Sequence, residues 1–180
     1  MRIFRLSALV VTLLALTIFF NGFQSASAQT LTPEFKDWND VLTQAKGQTL
    51  NWYIWGGSDT INGFVDNFYG KALKNEFGIT LKRIPVADTV DAVNQVLSES
   101  KAGVRNTGGK VDLIWINGAN FYTLYQAKLL YGPWAQGIPN SSLVAWDNTA
   151  VNLDFGRPVD GYESPWSSAQ FHFIYDTVQT

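Results

Sequence analysis

The chain has 180 residues, 46% of them hydrophobic and 14% aromatic, with 13 basic residues, 15 acidic residues, one histidine and no cysteine. A formal charge of −2, with the basic residues scattered, excludes a surface built for nucleic acid or anionic membrane. One histidine and no cysteine exclude a zinc-type His/Cys cluster, a disulfide scaffold and a lipid-anchored cysteine at a cleavage site.

Arg2 and Arg5 precede an apolar run from Leu6 to Phe20, and Ala26 and Ala28 then make the small-x-small pattern of a signal-peptidase site. Residues 1–28 are therefore expected to be an export signal cleaved after Ala28. The apolar run is shorter than the roughly 18 to 20 residues of a membrane span. Loss of Arg2 and Arg5 takes the formal charge to −4 and leaves about 150 residues, one ordinary domain. The expected compartment is the periplasm.

Thr32-Pro33-Glu34 reads as a cap with proline in the first turn, and Phe35, Trp38, Leu42 and Ala45 follow at helical spacing. Thr49 to Trp55 is an apolar strand, with Trp52 expected in the core and Trp55 at the strand end expected in a crevice. Gly56-Gly57-Ser58-Asp59 then turns into a helix capped by Ser58 or Asp59, whose stripe is Ile61, Phe64, Val65, Phe68, Ala72 and Leu73. Ile79 to Ile84 is a second strand closed by Pro85. Asp88 or Thr89 caps a helix bearing Val93, Val96 and Leu97.

Val111 to Ile116 is a third strand, and Asn117-Gly118-Ala119-Asn120 opens a helix with Phe121, Leu124, Tyr125 and Lys128. Strands recurring about every 30 residues with helices between them predict an α/β fold: a three-layer parallel sheet with helices on both faces. From Tyr131 to Ser164 a long irregular wrap is expected, followed by a fourth strand from Gln170 to Tyr175. In such sheets ligands sit outside the carboxyl ends of the strands.

Enzyme signatures are thin. There is no nucleophile elbow and no phosphate-loop lysine, and His172 alternates with Phe171 and Phe173 on a strand without a suggested partner. Gly56 and Gly57 allow backbone to approach a ligand, and helix starts favour anions. Trp55, Tyr122 and Trp166 favour a ring or a cation. Asp59 and Glu163 are candidate counter-charges, and these cues leave ligand charge open.

The strand Trp52-Tyr53-Ile54-Trp55-Gly56-Gly57-Ser58-Asp59-Thr60-Ile61-Asn62, the segment Asp112 to Phe121 and the late Glu163-Ser164-Pro165-Trp166-Ser167-Ser168-Ala169-Gln170 resemble extracellular solute-binding proteins of ABC importers, in a branch near the thiamine, polyamine and iron binders. The resemblance implies the first lobe of a type II periplasmic binding protein, over 29–170, with 171–180 as a crossover towards an absent second lobe. The chain is then expected to be a fragment or a truncated product. It further implies a ligand site at Trp55, Gly56, Gly57, Ser58, Asp59, Asn117, Asn120, Ser164, Trp166 and Gln170. The implied partners are a small solute, thiamine or a polyamine first, and an inner-membrane ABC permease; the protein would be a monomer needing no cofactor or metal. Two other readings stand beside it: an exported hydrolase with Asp59 or Glu163 as general base, and an interaction module docking a protein on the wrap.

Overall fold

The computed structural model describes residues 35, 37–105, 107–167, 174 and 176–178. The export signal, the Thr32 cap, Gln170, His172 and all of the predicted fourth strand except Ile174 lie outside them; Ile174 is exposed and in no strand. Helix α1, Trp38–Ala45, is capped by Asp37, whose Oδ1 accepts the Asp40 N–H at 2.9 Å. Asp37 thus satisfies a first-turn donor of the helix.

The centre is a three-stranded parallel sheet in the order β2-β1-β3, with β1 at Thr49–Trp55, β2 at Thr80–Val86 and β3 at Leu113–Ile114. Strand β1 is the central strand, flanked on both sides, and its apolar residues run from Trp52 to Trp55 after Asn51. Trp52 and Ile54, two residues apart on one face, are both buried. Strand β2 runs through Pro85 instead of closing at it. As an edge strand it tolerates a residue with no N–H to give. Strand β3 is shorter than predicted, with Trp115 and Ile116 already outside it, although the Trp115 N–H still reaches Tyr53 O at 2.9 Å.

Between β1 and β2 the helical segment is not uniform. Helix α2 covers Asp59–Phe64, a π-helical turn covers Val65–Tyr69, and α3 covers Gly70–Phe77. The Gly70 N–H bonds back five residues to Val65 O. The wider turn breaks the predicted stripe: Val65 is fully buried, while Phe64 and Phe68 are 47% and 59% exposed. Gly78, with φ +70°, ends α3 in the left-handed conformation that glycine adopts freely.

Helix α4, Thr89–Lys101, connects β2 to β3 and buries Ala92 and Val93. Helix α5, Gly118–Gln126, follows β3 and buries Phe121 and Leu124. The wrap is more ordered than expected. It holds a 3-10 turn at Pro139–Leu143, a short helix α6 at Thr149–Asn152, and an antiparallel pair, β4 at Leu153–Asp154 with β5 at Arg157–Pro158. Among the described residues no helix is long and apolar enough to cross a membrane.

Candidate functional site

The first strand-end turn is built almost entirely from its own residues. The Gly56 N–H donates to Val86 O at 3.1 Å, so the chain stays against β2 one residue beyond β1. A Cβ on Gly56 would lie 2.7 Å from Pro85 Cβ, and one on Gly57 would fall inside the Trp55 indole. Both glycines are required by close approach within the protein. Ser58 is the N-cap of α2, accepting the Ile61 N–H at 3.4 Å, and Asn62 Nδ2 donates to Gly56 O at 2.9 Å. Asp59 stands exposed in the first helical turn.

Trp55 lies at the mouth of a recess of about 210 Å³ whose other walls are Thr89, Trp115, Ile116 and Asn117. Three strand ends supply this lining: Trp55 from β1, Thr89 from the start of the helix after β2, and the remaining three from the end of β3. Thr89 Oγ1 donates to Trp115 O at 3.3 Å and ties the second turn to the third. Asn117 is the N-cap residue of α5, yet its side chain caps no helix N–H. The residue lines the recess with its side chain not used in capping.

The third turn is completed from far along the chain. Asp154 Oδ2 accepts a short hydrogen bond from the Gly118 N–H, taking the place that the Asn117 side chain leaves open. Gly118 has φ +58°, and the Phe155 ring packs over it, 3.4 Å from where a Cβ would be. Burial raises the Asp154 carboxyl above the usual range, and the Gly118 bond opposes that rise. Glu163 is half-buried beside it. Burial first, and the Asp154 charge second, push the Glu163 carboxyl up to about 8.

Of the residues expected to bind ligand, the recess brings together Trp55 and Asn117. Gly56, Gly57, Ser58 and Asp59 form the turn behind Trp55, and Asn120 sits in the first turn of α5. Trp166 instead joins the aromatic cluster over the core, with ring centroids 5.1 Å from Trp52, 5.5 Å from Tyr69 and 5.9 Å from Trp115. It touches the recess only through Trp115. Ser164 is exposed nearby in sequence, and Gln170 lies outside the described residues. Thr89, Trp115, Ile116 and Asp154 are additions. Trp115 could have been found by applying to β3 the strand-end argument used for β1; Asp154 had no local signal.

The aromatic walls suit a ring or a cation, while a free helix N-terminus would suit an anion. Asp154 settles part of that opposition by occupying the N-terminus of α5 with the protein's own carboxylate. Among the described residues no group of three or more His, Cys, Asp or Glu could hold a metal ion.

The architecture defines an α/β protein with a strand-end recess. No family model matches the chain, and no solved structure matches it. Over 145 residues it is 43% identical to Protein YnjB of Escherichia coli (strain K12), an alignment that takes in 81% of this chain and 37% of that relative. The chain thus spans little more than a third of the length of the curated relative it matches.

Proposed function

We propose that this chain is the first lobe of an exported solute-binding protein, of the type II periplasmic binding fold, serving an ABC importer. Residues 1–28 direct it to the periplasm, and the recess at Trp55 is its half of an interlobe cleft. Helices on both faces of a parallel sheet, with a second lobe supplied by further chain, complete the proposed architecture. The observation that carries this reading is the convergence of three strand-end turns on one recess with two tryptophan walls and an amide not used in capping.

The solute class is a small organic cation or a cationic ring, thiamine or a polyamine first. Indole faces attract cations, and the neighbouring helix N-terminus already holds Asp154. The partner is a membrane permease that receives the solute. The hydrolase reading retains one favourable observation, the raised Glu163 carboxyl next to Asp154, since general acids are tuned towards working pH in this way. Glu163 is not part of the recess lining, however, so binding is the better-supported role.

Thermal unfolding of the intact protein with thiamine or spermidine tests the proposal. A bound solute at a hundredfold excess over its Kd should add about 2.7 kcal/mol of stability. Trp55→Ala and Asn117→Ala should each remove most of that gain while leaving the unliganded transition intact. A gain that survives both substitutions, or no gain with either solute, would overturn the assignment.

A further inference from the structure

A second hollow lies at the opposite end of the sheet from the recess. It is a groove of about 370 Å³ between α3 and the start of the edge strand β2, with Asp66, Lys71, Lys74, Asn75 and Thr80 as its polar lining. The length of β2 from Thr80 to Val86 sets the two hollows about 20 Å apart. Its volume falls within the roughly 300–1,000 Å³ of small-molecule sites.

The π-helical turn assembles this lining. Residues five apart in a regular α-helix stand about 140° from one another around the axis. The bond from the Gly70 N–H to Val65 O spans five residues and widens the turn, which brings such residues nearly into line. Asp66 and Lys71 therefore share one groove, and Lys74 follows Lys71 at the three-residue spacing of a common helix face.

The carboxylate of this lining is already engaged. Arg83 Nε donates to Asp66 Oδ1 at 3.0 Å and to Oδ2 at 3.2 Å, and Arg83 Nη2 donates to Oδ2 at 2.9 Å. Among the described residues neither Lys71 nor Lys74 is in an ion pair. The groove thus presents two positive charges that Asp66 does not offset. Lys74 Nζ donates to Thr80 Oγ1 at 3.3 Å, which leaves the Thr80 hydroxyl proton to be given elsewhere. Asn75 adds an amide NH₂. Donors from a helix and a strand therefore line one hollow, and what they lack is an acceptor.

We propose that this groove binds a phosphate dianion, free or carried by a small organic group, with Lys71 and Lys74 as its charge partners and Thr80 as a neutral donor. A phosphate group carries close to two negative charges near neutral pH and offers three or more strong acceptor oxygens, which matches the two ammonium groups and the neutral donors beside them. Two lysines suit a compact dianion and not a polymer or a membrane surface, in keeping with the scattered basic residues of the chain. The site is separate from the recess at Trp55 and does not rest on the solute assigned there.

Amide NMR of the full chain, titrated at about pH 8 with inorganic phosphate and with glycerol 3-phosphate, tests the site, both probes being largely dianionic there. Saturable shifts should concentrate at 70–75 and 80–81, with 54–56 and 115–118 unmoved. Lys71 and Lys74 are exposed, so Lys71→Gln and Lys74→Gln should leave the fold intact and each weaken binding about tenfold. Thr80→Val should weaken it about threefold. Raising sodium chloride from about 0.05 to about 0.3 M should weaken it further. Tighter binding of glycerol 3-phosphate than of phosphate assigns an organic monophosphate, and equal or weaker binding assigns free phosphate. The proposal is overturned by an absence of saturable shifts up to about 20 mM of either probe, by shifts centred on the recess, by the same shifts with glycerol alone, or by unchanged affinity in both lysine variants.

Discussion

The first and third strand-end turns do the same geometric job with opposite economies of sequence. At the first, the side-chain closures are local: Ser58 caps α2, Asn62 holds Gly56 O, and the Trp55 ring lies over Gly57, while the Gly56 N–H goes to Val86 O of the neighbouring strand. At the third, Asn117 occupies the cap position without capping, and the helix donor is met by Asp154, 36 residues away from Gly118. A locally closed turn is a rigid wall. A turn closed by a distant carboxylate depends on the tertiary fold that brings β4 to the start of α5.

The largest expected effect comes from removing what keeps the third turn in place from beneath. Phe121 is 1% exposed and anchors α5 just after the turn. Phe121→Ala should cost about 3–5 kcal/mol in urea unfolding, the range for deleting a buried aromatic ring. A loss under about 1 kcal/mol would mean that α5 is held by Asp154, Arg157 and Asp160 more than by its own core face.

Asp154→Ala tests the long-range closure itself. It leaves the Gly118 N–H without its acceptor and removes a negative charge from a helix start, which together should cost about 1–3 kcal/mol. Relief of the charge pressure on Glu163 works in the other direction, so the result should fall towards the lower end at neutral pH. Equilibrium unfolding at two pH values separates the two contributions: the cost should shrink as pH rises. A cost that grows with pH would contradict the like-charge pairing of Asp154 and Glu163.

This contrast also marks what could be read in the sequence. β1, the glycine turn and the starts of α2 and α4 depend on signals within a few residues, and Trp52 and Trp55 divide between core and recess as strand alternation predicts, at 7% and 43% exposure. The stripe of Phe64 and Phe68 was misplaced because a π-helical turn between Gly63 and Gly70 changes the period midway, and neither glycine specifies such a turn. The resemblance puts Trp166 at the ligand site; the structure packs it on Trp52, a contact set by tertiary folding alone. Glu163 reads in the sequence as a candidate counter-charge, but its raised carboxyl comes from burial first and Asp154 second, and neither is visible in what reads as an irregular wrap.

The smallest effect sharpens the comparison from the local side. Ser58→Ala removes the side-chain acceptor for the Ile61 N–H, and cap losses of this kind cost about 0.5–2 kcal/mol. The value here should lie near the bottom of that range, because the bond is long at 3.4 Å and partly exposed to water, which can replace it. The Asn62 side chain still holds Gly56 O, so the turn keeps its shape and Trp55 its place at the recess. Solute binding should therefore be unchanged even as stability drops slightly, a pair of results that urea unfolding and a thiamine or spermidine titration would separate. If binding fell with stability, the first turn would be as dependent on a single acceptor as the third, and the distinction between a locally closed turn and one closed from a distance would fail.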